Sequence, residues 1–416
     1  MSSYSDSFLE IFSNEKQIIV LTKEIKTGKS ISIVKKTYSK SDLTLLEETK
    51  VAVFDIEKSN PYRFYTVKSP DKSKVGLIGF IAKNGMFNNY YVSVFDELGE
   101  IILKTEEKLM FENENYIIED IALTDNAQLY ITFNSRPKEE KTEAETSYLN
   151  IVALNENDKN NLRIPFENQI KDVKLHILTN GNLFIAGILD FPAKKPIFQY
   201  FNMIISEDNL RIISRNSEKI NFERKYHIEE LSPPQIFDFT VNIINISELE
   251  DGNISVLCEQ VSNVVIKSNV LYNFLKTRGD VVSFLIDNKG VIKSKNQMEK
   301  FQKQTGRFDV SPQLLHVSTF SFTYGDKIGY LFNDAVRNYE TLSAEKEKIP
   351  FNRKYGRDSG IYMITEENGK MSKTIALTGI DPAKKFLCEL LVVEEDKLIV
   401  LTRDKKSAYI EIVPLP

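Results

Sequence analysis

The sequence predicts an all-β protein built from a repeated four-stranded antiparallel unit. Short apolar runs rich in Ile, Val, Phe and Tyr alternate with polar segments of Asp, Asn, Gly, Ser and Lys, which is the pattern of strands and turns. Helical candidates are few: residues 297–304, and residues 219–235 before Pro233 and Pro234 stop a helix. Strand and turn signals therefore dominate the chain.

The first recurring element is a hairpin in which a polar turn joins two apolar strands. It occurs six times, at residues 66–80, 120–133, 175–188, 246–259, 321–332 and 390–402. The turn residues are Asp71, Asp125, Asn180, Asp251, Asp326 and Asp396, spaced 54, 55, 71, 75 and 70 apart. This spacing indicates a structural repeat with inserted loops.

A second type of hairpin alternates with the first along the sequence. Its copies are residues 31–48, 90–107, 149–166, 201–215, 281–295 and 361–377. Two hairpins per period make a four-stranded antiparallel sheet, and such sheets repeated without helices are typical of a β-propeller. Three predicted strands stand at each end of the chain, so the ends form adjacent blades, giving seven, or share one blade, giving six. Seven is the favoured number.

The predicted organisation is a single propeller domain over residues 17–416 after an N-terminal tail at 1–16. Insertions are expected near residues 136–146, 217–238 and 339–357. The first residues lack a basic segment followed by an apolar run, so no signal peptide is present as written. The chain is then either cytoplasmic or the mature form of an exported protein.

Composition excludes several classes of protein. The 416 residues carry a net charge of −5, with 42% hydrophobic and 27% charged residues, which argues against binding nucleic acid through bulk charge and against a disordered chain. Apolar runs are too short for a membrane span. Cys258 and Cys388 are too few for a disulfide framework or a four-thiolate zinc site, and the three histidines are far apart in the sequence. Neither a metal nor a cofactor is expected.

Three segments carry a resemblance to a known group of proteins. VKSPDKSKVGLIGF, YYVSVFDELGEIILKTEE and SFTYGDKIGYLFNDAVRN resemble the uncharacterised β-propeller proteins common in Bacteroidetes, over roughly residue 29 to the end. The resemblance implies a propeller fold and an exported or envelope-associated protein, and it brings no catalytic residue. The chain has no tryptophan, so it lacks the WD-repeat signature.

The first candidate binding segment follows the strand at 327–332 and contains Asn333, Asp334 and Arg337. These side chains could bind a cation or a polar ligand at the mouth of a central channel. The alternative is that Asn333 and Asp334 satisfy backbone groups of the loop.

Two further segments are candidates for recognition. The basic segment 346–357 contains Arg353, Lys354, Tyr355 and Arg357, which could meet an anionic surface by charge and stacking, or could be a solvated loop. Tyr226 lies in the insertion at 220–237, which could dock a partner or be a surface elaboration.

The predicted function is a non-enzymatic protein-binding or scaffold propeller, a subunit or partner of an envelope or secretion-related assembly. The alternative is a hydrolase or lyase acting on glycans or peptides at the central channel. The chain contains no nucleophile elbow, phosphate-binding loop or His-Glu-x-x-His motif. Acidic residues are too numerous for their presence to indicate a glycosidase.

Overall fold

A computed structural model describes most of the chain. The residues outside its description are 1–4, 27–29, 56–61, 84–85, 110–113, 138–145, 191–196, 222–235, 268–271, 299, 301, 308–318, 325–326, 336–350, 353–358, 368–369, 376–384, 395–396, 404–406 and 415–416.

The described strands form seven sheets, numbered here in chain order. Sheet one contains β1 (Ser5–Ser13), β2 (Gln17–Lys26), β3 (Ser30–Ser39) and β4 (Leu45–Asp55). Sheet two contains β5 (Tyr62–Lys68), β6 (Val75–Lys83), β7 (Met86–Phe95) and β8 (Ile101–Lys108). Sheet three contains β9 (Glu114–Leu123), β10 (Leu129–Pro137), β11 (Ser147–Leu154) and β12 (Lys159–Phe166). Sheet four contains β13 (Gln169–Ile177), β14 (Leu183–Asp190), β15 (Ile197–Ile205) and β16 (Ile212–Asn221).

The remaining sheets depart from this four-strand plan in two places. Sheet five contains β17 (Ile236–Glu248), β18 (Ile254–Lys267), β19 (Tyr272–Ile286), β20 (Ile292–Met298), β21 (Gln302–Arg307) and the short β24 (Phe351–Asn352). Sheet six contains β22 (Thr319–Tyr324), β23 (Lys327–Ala335), β25 (Ser359–Glu367) and β26 (Lys370–Ile375). Sheet seven contains β27 (Lys385–Glu394), β28 (Lys397–Arg403) and β29 (Ala408–Pro414).

The strand order confirms the all-β class and the repeated antiparallel unit of a β-propeller. Both predicted hairpins recur, as β5–β6 with β7–β8 and as their counterparts in the later sheets. At the chain ends, β1–β4 pair among themselves and β27–β29 pair among themselves, so the ends do not share a sheet. The described sheets therefore match the favoured number of seven blades. β1 lies inside the segment 1–16 that the sequence assigned to a tail.

The helical expectation for residues 297–304 is wrong. β20 ends at Met298 and β21 begins at Gln302, and both pair with the long strand β19. Pairing along an existing strand outweighs the helical preference of the Lys and Gln residues in this segment. Of the other helical candidate, residues 219–221 belong to β16, and 222–235 lie outside the described residues.

The strands divide into two compact units. One comprises Met1–Glu167 with Ser206–Arg211, and the other comprises Asn168–Ile205 with Ile212–Pro416. Within each unit, apolar side chains pack between consecutive sheets. Examples are Leu21 with Leu77 between sheets one and two, and Phe284 with Tyr200 between sheets five and four. In the described residues no helix is long and apolar enough to span a membrane.

The first strands of consecutive sheets contact each other within each unit, as the inner strands of propeller blades do. Bulges in these strands place acidic side chains against the next sheet. Glu10, at the bulge of β1, accepts a hydrogen bond from Thr66 at 3.0 Å and pairs with Lys68 at 3.1 Å. Asp172, at the bulge of β13, accepts a hydrogen bond from the Ile243 amide at 2.6 Å. These carboxylates join neighbouring sheets.

The two ends of each sheet differ. At one end, which we call the turn end, short connections join the first strand to the second and the third to the fourth, and those in the described part of the chain are tight turns. Asp71, Asn180 and Asp251 accept hydrogen bonds there from the amides two residues on, at 2.8 to 3.0 Å, and Asp125 also lies in such a turn. Asp326 and Asp396 are outside the described residues.

Connections at the opposite end, the loop end, join the second strand to the third and the fourth strand to the next sheet. Because the strands are antiparallel, all three predicted insertions leave their strands at loop ends, after β10, β16 and β23.

Candidate functional site

The predicted segment at Asn333 occupies the loop end of sheet six. Asn333 and Asp334 lie on β23, where they are in register with Ile361 and Gly360 of β25. The Asn333 side chain is buried, so it belongs to the packed interior of the sheets. Asp334 is the next residue of β23 toward the loop end.

The other predicted site residues are outside the described part of the chain. These are Arg337, Arg353, Lys354, Tyr355, Arg357 and Tyr226. The strand β24, at 351–352, immediately precedes Arg353 in the sequence.

Gln302 joins the two predicted segments to each other. Its side-chain amide donates a hydrogen bond to the carbonyl oxygen of Asn333 at 2.6 Å. Its backbone lies in β21, which pairs in parallel with β24 and is in register with Phe351. The connection between β23 and β25 of sheet six therefore contributes a strand to sheet five. Gln302 thus contacts both Asn333 and β24, which lies within the basic segment 346–357.

A buried ionic cluster lies beside this junction. The Lys300 ammonium group contacts the Glu259 carboxylate. It also donates hydrogen bonds to the Thr319 hydroxyl at 2.7 Å and to the side-chain carbonyl oxygen of Gln302 at 3.1 Å. Thr319 in turn donates to Glu259 at 3.0 Å. Both charged side chains are 0% exposed. Lys300 also lies 5.7 Å from the centre of the Phe332 ring.

The cluster forms where three neighbouring strands are irregular. Gln260 interrupts the regular register between β18 and β19, and Asp280 lies at the same level on β19. The fourth strand position, next to β19, is occupied first by β20 and then by β21. Lys300 lies in the gap between these two strands. Asp280 accepts hydrogen bonds from the Lys300 amide at 3.3 Å and from the Gln297 side chain at 3.0 Å. Such bulges redirect side chains out of the regular alternation.

We call Glu259, Asp280, Lys300, Gln302 and Thr319 the Lys300 cluster. Its members come from sheets five and six, so it links the two sheets. Glu259, Thr319 and Gln302 each accept a hydrogen bond from the ammonium group, which has three N–H donors. A charge pair that is sealed and fully partnered cannot take up a substrate, and it is better suited to fixing a structure in one arrangement.

Sequence reasoning missed the Lys300 cluster for a physical reason. Its residues are separated by up to 60 positions and carry no short spacing motif. The segment that supplies Lys300 was interpreted as a helix, which would have placed its side chains on different faces. The available signal was the length of β18 and β19, which exceeds that of their counterparts in the other sheets.

Isolated titratable groups elsewhere do not form a catalytic arrangement among the described residues. Cys258 is a free, buried cysteine on β18, and burial raises the pKa of its thiol well above the ordinary value. A buried, neutral thiol of this kind packs as a small apolar side chain. Burial lowers the pKa of His176 on β13, with a smaller opposing effect of Glu248. In the described residues no group of three metal-ligating side chains is present.

Comparison with known proteins gives similarity of structure alone. No family model matches the chain, and no curated protein matches it. The β-propeller domain of the Trilobed protease from Pyrococcus furiosus, described as having an open velcro topology, is similar with a TM-score of 0.34 and 9% identity, covering 99% of this chain and 94% of that one.

Two further solved structures are similar at comparable levels. The WD40 domain of SCAP from fission yeast has a TM-score of 0.25 and 9% identity, covering 99% of this chain and 98% of that one. A thermostable family-43 glycoside hydrolase has a TM-score of 0.32 and 10% identity, covering 77% of this chain and 96% of that one.

Proposed function

We propose that this chain is a non-enzymatic scaffold that binds a protein partner at the loop end of sheets five and six. The observation that carries the proposal is the anchoring of β24. Within the basic segment 346–357, the strand β24 is paired to β21, next to the Lys300 cluster, and Arg353 follows β24 directly in the sequence. Recognition segments are commonly carried by loops whose ends are fixed on a rigid framework.

The Lys300 cluster supports a role in anchoring. Removing two charges from water is costly, and a chain retains such a pair where it specifies one arrangement of strands. Here the arrangement fixes the positions at which the connection 336–350 leaves β23 and returns at β24. Arg353, Lys354, Tyr355 and Arg357 would supply charge and stacking toward an acidic protein surface.

The alternative function, hydrolysis or elimination on glycans or peptides at a central channel, needs accessible acid and base groups on the inner strands. Two of the acids on the inner strands, Glu10 and Asp172, are instead hydrogen-bonded to the next inner strand. This supports the binding role over the alternative.

We further propose an exported or envelope-associated setting, with a cytoplasmic location as the alternative. The resemblance of the segments VKSPDKSKVGLIGF and YYVSVFDELGEIILKTEE to propellers of Bacteroidetes supports this proposal. Fractionation of native cells tests it: recovery in the periplasmic or surface fraction is expected, and recovery with cytoplasmic markers would contradict it.

The binding role is tested by affinity capture of the tagged protein from its native cells. The wild type should retain a stoichiometric partner, and the charge reversal Arg353→Glu with Lys354→Glu should reduce its recovery about tenfold, the loss of about 1.4 kcal/mol. The matched control reverses Lys138→Glu and Lys141→Glu at the loop end of sheet three. Equal loss in both variants, or no partner with the wild type, would contradict the proposal.

A further inference from the structure

The strand β4 of sheet one is exposed over most of its first half. Positions 45–50 are all exposed, whereas exposed positions of the fourth strands β8, β12, β16 and β20 are separated by less exposed ones. β4 also carries three exposed apolar side chains, Leu45 at 51%, Leu46 at 54% and Val53 at 58%. A strand with this much exposed apolar surface indicates a site of association.

The outer edge of β4 is the edge that faces away from β3. Among the described strands, β3 pairs with β4 and none pairs with this outer edge. Sheet two reaches β4 at Val51, whose carbonyl oxygen accepts a hydrogen bond from Lys104 at 3.2 Å. The exposed stretch 45–50 precedes that contact, so the backbone groups on its outer edge are within reach of another strand.

The register with β3 shows that four exposed residues of β4 share one face. They stand opposite even-numbered positions of β3, between 32 and 38, and are Leu45, Glu48, Lys50 and Val53. Along the strand this row reads apolar, acidic, basic, apolar. A second copy that runs in the opposite direction reads apolar, basic, acidic, apolar, so the row is complementary to itself. Glu48 is half exposed and lies 3.9 Å from Lys36 of β3, so its carboxylate can also meet a cation from outside the sheet.

Two antiparallel copies of β4 have a limited choice of register. Within 47–50, where β4 pairs regularly with β3, residues that stand opposite each other across a twofold axis share a face, so their numbers add up to an even number. An axis at Glu48 sets two glutamates opposite each other, and an axis at Lys50 sets two lysines. An axis at Thr49 sets Glu48 opposite Lys50 twice. Opposite charges across a strand pair are favourable and like charges are unfavourable, which selects the axis at Thr49.

The residues outside 47–50 agree with this axis. The register with β3 shifts once near residue 46 and once near residue 51. Because one extra residue lies on each side of Thr49, the reversed copy keeps Leu45 opposite Val53. Both of these side chains are more than half exposed, and the pairing covers them.

We propose that two copies of this chain associate through β4, which pairs antiparallel with β4 of the second copy about a twofold axis at Thr49. The second copy is the occupant because the exposed row is complementary to itself, as an interface with twofold symmetry requires. The two copies of sheet one then form one continuous sheet, with each charge pair and each apolar contact made twice. This association uses sheet one and does not depend on the binding of a partner at sheets five and six.

Sedimentation velocity of the purified, intact chain at about 1–100 µM tests the association. The wild type should form a dimer. Glu48→Lys and Lys50→Glu each place two pairs of like charges across the axis, and each should weaken the dimer about tenfold or more. An equimolar mixture of the two variants should associate to within about threefold of the wild type, because acid again meets base at both positions.

The matched control is Glu218→Lys, on the fourth strand β16. Glu218 is 44% exposed and pairs with Lys295 at 3.0 Å, so the change in charge is the same as in Glu48→Lys. This variant should leave the dimer unchanged, since it alters another strand.

Cross-linking tests the register. Residues opposite each other in an antiparallel pair have Cα atoms about 4.5–5.5 Å apart, which is within the range of a disulfide. Thr49→Cys should therefore give a covalent dimer under mild oxidation. Val53→Cys should not, because residue 53 stands opposite residue 45 of the other copy, and this variant also controls for the native cysteines.

Three results would overturn the proposal. The first is a wild type that remains monomeric at about 100 µM. The second is a dimer that both charge reversals leave intact, or one that cross-links at residue 53 in place of residue 49. The third is a loss of association in both variants without recovery on mixing, which would show that the substitutions act by some means other than the charge pairs.

The failure of this proposal is distinguishable from that of the proposed function. If the purified chain is monomeric while capture from cells recovers a partner, pairing through β4 is wrong and the scaffold function stands. If the chain forms the dimer described here but no partner is captured, the scaffold function fails and the pairing stands.

Discussion

Gly187 faces Phe201 across the β14–β15 ladder, and the ring fills the space that a Cβ atom would need. Gly79 with Phe64 in sheet two and Gly329 with Phe322 in sheet six are the same kind of cross-strand pair. A glycine in a strand is unfavourable for the backbone, but an aromatic ring laid over it recovers buried apolar area. The glycines at these positions are therefore part of the packing.

We expect Gly187→Ala to destabilise the protein by about 1–3 kcal/mol, because the added methyl group overlaps a ring that has no free space to move into. Urea unfolding measures the change. Gly252→Ala is the control for backbone strain alone: it has a φ of +76° and nothing within 4 Å of the added Cβ. A smaller loss for Gly187→Ala than for Gly252→Ala would contradict the packing argument.

His176 gives a prediction about pH. Burial lowers its pKa below the ordinary value of 6.5, so the unfolded chain binds the proton more tightly than the folded one. The neutral ring contributes fully to the free energy of unfolding above pH 6.5. This contribution is lost as the pH falls below that value. We expect His176→Gln to reduce the fall in unfolding free energy between pH 7.5 and 5.5. An unchanged fall would show that the ring titrates normally in the folded state.

At the scale of elements, the strands that the sequence predicted well are those whose pattern is local. The hairpins of sheets two to four were recognisable because apolar runs flank turns such as the one at Asp71. In sheet five the start of β20 fell within the predicted hairpin 281–295, but the end of β20 and all of β21, which are polar, were interpreted as a helix. The conformation of β20 and β21 is set by pairing with β19, another strand of the sheet. The helix prediction took account only of the intrinsic preferences of the residues, and it was therefore wrong.

The Lys300 cluster carries a stability prediction for this element. Lys300→Met should cost about 3–5 kcal/mol, because it leaves the Glu259 carboxylate buried without its counter-charge. The double variant Glu259→Leu with Lys300→Met should recover much of that loss. Unfolding in urea measures both changes.

The matched control is Lys295→Met, which removes a pair with Glu218 at 3.0 Å whose side chains are 38% and 44% exposed. Exposed pairs contribute about 0–1 kcal/mol, so this variant should be nearly neutral. Similar losses for Lys300→Met and Lys295→Met would mean that the buried cluster is not a stabilising anchor.

At the scale of the whole molecule, the period of the sequence was sufficient to predict the repeated sheets. It favoured seven sheets and kept six as the alternative, because a three-stranded end looks the same whether it completes another sheet or stands alone. Of the predicted site residues, Asn333 lies at a loop end, and its link to sheet five through Gln302 depends on contacts between distant residues that no local sequence pattern shows.

The separation of tight turns from long connections has a consequence for how this molecule can change over generations. Substitutions, insertions and deletions in 138–145, 222–235 and 336–350 fall at one end of their sheets, while turns such as the one at Asp251 keep the strands aligned at the other. New specificities can therefore arise by drift at one end with little effect on folding. The same division makes the chain a framework for engineered libraries, in which diversity is confined to those three segments.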